Sequence, residues 1–192
     1  MAIEVSRKTF TTDEYDQMIA SGVLTKEDRV ELIEGEIVTM SPIGRFHAAC
    51  VDRLNAVLSR EVGQKLIVRV QGPIRLSMFS EPQPDIALLK LKADFYAEAH
   101  PSPADVYVVV EVADTSIGYD RATKVPLYAR AAIPEMWLVD LAEEKVSVFW
   151  GPRQGEYKKQ KELSRGEYIV SSSVRDLVVA VDDILGPSTP AA

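Results

Sequence analysis

The chain has 192 residues, of which 46% are hydrophobic and 27% charged, values ordinary for a soluble globular protein with one sizeable core. A formal net charge of −7 and a pI near 5.0 exclude a protein that coats nucleic acid by bulk electrostatics. They leave room for an enzyme whose acids hold a metal, and equally for an acidic protein kept monodisperse by its charge. No run reaches transmembrane length, Met1 to Arg7 lack an apolar signal core, and the single Cys50 has no disulfide partner within the chain. The expectation is a cytoplasmic protein with no membrane contact.

In chain order, Thr11-Thr12-Asp13-Glu14 reads as a helix N-cap with acids in the first turn, and Gly22 stops that helix. Glu31 to Met40 alternates around Glu34-Gly35-Glu36 and predicts a β-hairpin, followed by a turn at Ser41-Pro42-Ile43-Gly44. From Arg45 to Val62 the period is helical, with Phe46, Cys50, Leu54, Val57 and Leu58 recurring at helical spacing and His47 at the edge of that stripe. Leu66–Gln71 and Ile74–Met78, separated by Gly72-Pro73, predict one bent strand or two short ones. Asp85–Leu89 predicts a short buried strand, and Lys92–Asp105 a polar loop.

Val106-Tyr107-Val108-Val109-Val110-Glu111-Val112-Ala113 predicts a strand covered on both faces. Pro126 is tolerated near a helix start, which places a helix from about Val125 to Ala132 with Lys124 at or just before its first turn. Met136–Asp140 and Val146–Trp150 form a hairpin across Glu143-Glu144, one or two strands follow, and residues 186–192 read as a loose tail. Helices at both ends of hairpin-linked strands imply an α/β or α+β sandwich around a mixed sheet. The expected unit is one domain over residues 1–185, its first 30 or so residues a helical extension.

Glu111 is the residue from which a function can be argued. An ionised carboxylate in a valine strand costs several kcal/mol or more unless it meets a cation, a metal or a proton. Asp85, behind Pro84 at the mouth of a neighbouring strand, supplies a second acid, and Lys124 lies just beyond Glu111 in the chain. Two acids delivered to one sheet edge make a hard-oxygen site suited to Mg²⁺ or Mn²⁺, and a nearby ammonium suits a phosphate. The plainer readings stand beside this one: a buried ion pair of Glu111 with Lys124 or Arg121, turn acids at Asp85 and Glu34, an ordinary solvated Lys124, a core-edge histidine at His47, core aromatics at Tyr128 and Trp137, and a small buried hydrophobe at Cys50. Phosphate-loop, dinucleotide, serine-hydrolase and zinc-protease motifs are absent from the sequence.

Pro84-Asp85 followed by Glu111-Val112-Ala113 resembles the PD-(D/E)xK signature of restriction-endonuclease-like nucleases. The wider frame resembles the Uma-two family within that superfamily, through Glu31-Leu32-Ile33-Glu34-Gly35-Glu36, Met40-Ser41-Pro42, His47, Pro84-Asp85-Ile86, Glu111-Val112, Lys124-Val125-Pro126-Leu127-Tyr128 and Trp137-Leu138-Val139-Asp140. The resemblance implies a restriction-endonuclease-like mixed β-sheet flanked by helices, with added β-hairpins. It implies Asp85, Glu111 and the backbone carbonyl of Val112 as ligands of Mg²⁺ or Mn²⁺. The superfamily's lysine two residues after the glutamate is here Ala113, and Lys124 takes its place as the third catalytic residue. Glu34, His47 and Tyr128 would lie just behind the ligands. DNA is the implied substrate and a homodimer the implied assembly. A catalytically inactive nuclease-fold protein that binds nucleic acid or another protein is the alternative.

Overall fold

A strand of eight residues, seven of them buried, sets the architecture. Val106–Ala113, strand β5 in chain order, is buried nearly throughout because it lies inside a sheet covered on both faces. The structure is a computed structural model that describes residues 7–25 and 27–187. Its six-stranded mixed sheet runs β3 (Leu66–Val70), β4 (Ile86–Lys90), β5, β6 (Glu135–Asp140), β7 (Lys145–Arg153) and β8 (Glu156–Ser164). Only β5 and β6 are parallel; the other neighbours are antiparallel hairpin or loop partners.

Alternation along the strands divides the core into two layers. Val108, Val110 and Val112 join Trp137 and the buried stripe of helix α2 (Arg45–Val62), whose Cys50, Leu54 and Leu58 have no exposure. Six buried side chains of α2 contribute on the order of 10 kcal/mol of apolar burial before entropy is set against it. Val109 and Ala113 face the opposite way, among Leu127 and Tyr128 of a second helical layer.

Small elements close the two ends. Helix α1 (Thr12–Ala20) starts on the expected N-cap, where Thr11 and Glu14 form a capping box, and is tied to the body by Tyr15 Oη donating to Val30 O at 3.1 Å. β1 (Val30–Ile33) and β2 (Glu36–Thr39) form their own hairpin, turning at Glu34 and Gly35 with φ of 51° and 82°. Gly35 is doubly constrained there, since a Cβ would sit 2.6 Å from Thr9 Cβ. At the other end, β9 (Tyr168–Val170) and β10 (Val178–Ala180) pair separately and lead into α5 (Val181–Leu185).

One expectation changes and one is extended. Ile74–Met78 is not a strand: Gln71 has φ 45°, the chain leaves the sheet there, and Ile74 and Leu76 bond Pro82 and Ser80 of the following turn. The helix predicted from about Val125 is there, with Lys124 as its N-cap, but it continues a helical segment that begins at Ile117. It runs as α3 (Ile117–Tyr119), a π-helical turn (Asp120–Lys124) and α4 (Val125–Arg130), ending where Ala132 turns left-handed at φ 59°. Of the tail predicted at 186–192, residues 188–192 lie outside the described ones.

Candidate active site

The register of the sheet places the two acids. Ala87 pairs with Val109 and Ile86 with Val110 across β4 and β5, so the next step of the same register sets Asp85 opposite Glu111. Directly opposed residues on antiparallel strands have Cβ atoms about 5 Å apart on one face. Glu111 shares the face of Val109 and Ala113, toward the helical layer, whereas the Asp85 carboxylate turns to Val112 N–H and to His47 of α2. Asp85 and Glu111 both open on a cavity of about 310 Å³, together with Val112, His47, Glu31, Gln83, Asp120 and Lys124.

Lys124 reaches this cavity because of the π turn. Pro126 has no N–H, and in a regular α-helix its ring would strike the carbonyl of Ala122. A widened turn, closed by Val125 N–H donating to Asp120 O, removes that clash. Asp120 and Lys124, at its two ends, are both buried and both line the cavity. Lys124 is only 4% exposed, not the solvated lysine that its residue type suggests. Its Nζ lies 3.0 Å from Glu31 Oε2 and 3.1 Å from Glu111 Oε1, bridging the two acids. Removing the ammonium would leave two buried carboxylates facing one another, so Lys124 also contributes to stability.

Each carboxylate is held by further donors. Tyr128 Oη, fully buried, donates to Glu111 Oε1 at 2.6 Å. Asp85 Oδ2 accepts from Val112 N–H at 2.9 Å and faces His47 Nε2 at 3.1 Å, while Asp85 Oδ1 accepts from Gln71 Nε2 at 3.1 Å. Glu31 Oε2 accepts from Gln83 N–H at 3.1 Å, and Asp120 Oδ2 from Ser116 Oγ at 2.6 Å.

The electrostatics follow from burial and from an excess of acids. Burial pushes the Glu111 carboxyl up to about 8; Lys124 opposes the shift, while Asp85 and Glu31 add to it. Burial alone would lower Lys124, but Glu111 and Glu31 outweigh it and hold the ammonium above its ordinary range. The hydrogen bond to Asp85 raises His47 against the effect of burial. Burial likewise raises Asp120. Five acids line the cavity (Glu31, Asp85, Glu111, Asp114 and Asp120) against Lys124 and Arg29, so it favours added positive charge.

The donor set fits a hard cation. Among the described residues no three His, Cys, Asp or Glu side chains are grouped so as to encircle an ion. Mg²⁺, however, takes one or two carboxylates and completes its octahedron with water and substrate oxygens. Asp85 and Glu111 supply such oxygens, and Glu111 Oε2 accepts no hydrogen bond from any described residue.

Of the residues singled out in the sequence, Asp85, Glu111, Val112, Lys124 and His47 meet at this cavity, and Tyr128 touches it through Glu111. Glu34 does not. It occupies the β1–β2 turn with its side chain exposed, bonds Arg130 at 2.6 Å, and lines a separate cavity of about 470 Å³. Glu31 takes the place expected of it, because strand alternation puts Glu31 on the face of the buried Ile33, whereas Glu34 lies past the strand end. The signal for Glu31 was present, since it interrupts the apolar run Val30-Glu31-Leu32-Ile33 just as Glu111 interrupts the valines. Asp120, Gln71 and Gln83 carry no such local signal, since only the tertiary fold brings them near the acids.

The family model described as "Uma2: Putative restriction endonuclease" matches residues 12–182. Among solved structures, the chain is similar to "a putative nuclease belonging to DUF820" from Anabaena variabilis ATCC 29413, determined at 1.96 Å resolution. The two share 17% identity over 92% of this chain and 97% of that chain, with a TM-score of 0.71. At that identity the likeness is one of fold, a mixed sheet flanked by helices. No curated protein matches.

Proposed function

Because this chain belongs to the Uma2 family of restriction-endonuclease-like proteins, which generally use divalent metals, we propose that it is a divalent-metal-dependent nuclease hydrolysing phosphodiester bonds of DNA. One observation carries the reading: Asp85 and Glu111, opposed on adjacent strands, open on a single acid-rich cavity that also holds the ammonium of Lys124. Asp85, Glu111 and the carbonyl of Val112 would hold Mg²⁺ or Mn²⁺. When bound, the ion supplies charge neutralisation at the phosphate and a water acidic enough to furnish hydroxide.

The chain's own residues do the rest. Lys124 donates an N–H to Glu31 and pairs electrostatically with Glu111, which leaves an N–H for a phosphate oxygen that gains charge in the transition state. Tyr128 fixes the rotamer of Glu111, and His47 that of Asp85. A second copy of the chain would let so small a domain embrace a duplex, and the lone Cys50, buried and reduced, suits the cytoplasm.

Mn²⁺ titration together with cleavage of plasmid DNA and of RNA tests the reading. Wild type binds Mn²⁺ and cuts DNA; Asp85→Asn and Glu111→Gln weaken binding at least about tenfold and stop cleavage. Lys124→Met, which keeps the packing volume, retains Mn²⁺ binding and loses cleavage by about 100-fold or more. Mn²⁺ binding with no cleavage of either nucleic acid would replace the nuclease with an inactive binding module, the reading that Lys124's double engagement by carboxylates favours.

A further inference from the structure

Three donors converge on Asp85, and one of them sits in a conformation its residue type disfavours. Strand β3 ends at Val70, and Gln71 follows with φ 45°, a left-handed backbone that costs energy for any residue with a Cβ. The adjacent Gly72 does not take the left-handed position, and a Cβ there would lie 2.7 Å from Arg69 Cδ. The strain is thus placed on the glutamine although a glycine is next in the chain.

Gln71 uses that conformation to hold one residue twice. Its main-chain N–H donates to Asp85 O at 3.0 Å, and its side-chain Nε2 donates to Asp85 Oδ1 at 3.1 Å. The amide orientation is fixed by chemistry, since the reverse would set two oxygens against each other. Val112 N–H and His47 Nε2 meet Asp85 Oδ2. The end of β3, helix α2 and strand β5 therefore each contribute a contact to one carboxylate. Three of its roughly four acceptor positions are filled.

We infer that Gln71 is a positioning residue: its left-handed backbone and side-chain amide lock the rotamer of Asp85 so that the remaining lone pair faces the cavity and sets the affinity for a hard cation. The inference rests on the metal-binding reading above and names the residue that tunes it. A glutamine that merely ended strand β3 would make stability and cation affinity rise or fall together. A positioning glutamine separates them.

The test uses the full chain, with Mn²⁺ alone as the probe and thermal unfolding in chelator as a second readout. Gln71→Gly relieves the left-handed strain and removes the amide. It is expected to unfold no earlier than wild type yet bind Mn²⁺ about tenfold more weakly. Gln71→Met keeps the side-chain length and loses the same affinity. Gln154→Gly relieves similar strain (φ 56°) in the β7–β8 turn and leaves Mn²⁺ affinity unchanged. Wild-type affinity in either Gln71 variant, or parallel loss of stability and affinity in both, would overturn the inference. If wild type binds Mn²⁺ but cuts nothing and Gln71→Gly still binds more weakly, the nuclease reading falls and this one stands. A wild-type chain that ignores Mn²⁺ removes both.

Discussion

Glu111 shows how a single side chain can oppose folding and serve a site. Burial penalises the charged form and pushes its carboxyl from 4.5 up to about 8. Between those values the folded chain binds a proton that the unfolded chain has released. Stability conferred at low pH is therefore lost as pH rises from about 4.5 to about 8. In chelator, Glu111→Gln should match or exceed wild-type stability at pH 8, by on the order of 2 kcal/mol, since a neutral amide removes the penalty while Lys124 keeps Glu31. Urea unfolding at pH 5 and pH 8 measures this. A variant less stable than wild type at pH 8 would contradict it. Glu111 was legible because a lone charge in a valine run is physically anomalous. Glu34 was undecided between site and turn because a glutamate beside a turn glycine gives no indication of which way it faces.

At the scale of elements, the π turn connects a proline to a lysine. Pro126→Ala restores an N–H that can pair with Ala122 O, so Ile117–Arg130 can become continuous α-helix. The rotation this imposes withdraws Lys124 from Glu31 and Glu111. Cleavage should fall by about 10- to 100-fold with the fold intact, and unchanged turnover would show that the lysine does not depend on the turn. A second element-scale device lies at the start of β6. Glu135, with no exposure, accepts from Trp137 Nε1 at 2.6 Å, from Ser172 N–H at 2.7 Å, from Ser173 N–H at 3.0 Å and from two serine hydroxyls. It joins the sheet to the Ser171–Ser173 turn between β9 and β10. Glu135→Ala should cost about 3 kcal/mol, read as a fall in melting temperature of roughly 6–12 °C, because it strands several buried donors.

For the molecule as a whole, the cavity lies where the sheet, the β1–β2 hairpin, α2 and the helical crossover from β5 to β6 meet, so occupying it bears on all four. An ion that binds only the folded chain stabilises it by about 2.7 kcal/mol at one hundred times its dissociation constant. For a chain of this size that corresponds to roughly 5–10 °C in melting temperature. Mn²⁺ should produce that rise in wild type and at most about half of it in Glu111→Gln; an equal rise in both would place the ion elsewhere. Among the described residues no helix is long and apolar enough to cross a membrane.

Periodicity alone determined that α2 spans Arg45–Val62, that β5 is central and buried, and that Glu111 needs a partner, because burial patterns repeat every 3.6 or every two residues. The partners themselves were decided in three dimensions. Lys124 lies 93 residues from Glu31, and Gln71 lies 14 from Asp85 across a left-handed break that no local pattern marks. A strand's own sequence specifies which face of it is apolar. Only packing against other strands and helices fixes which donors that face will meet.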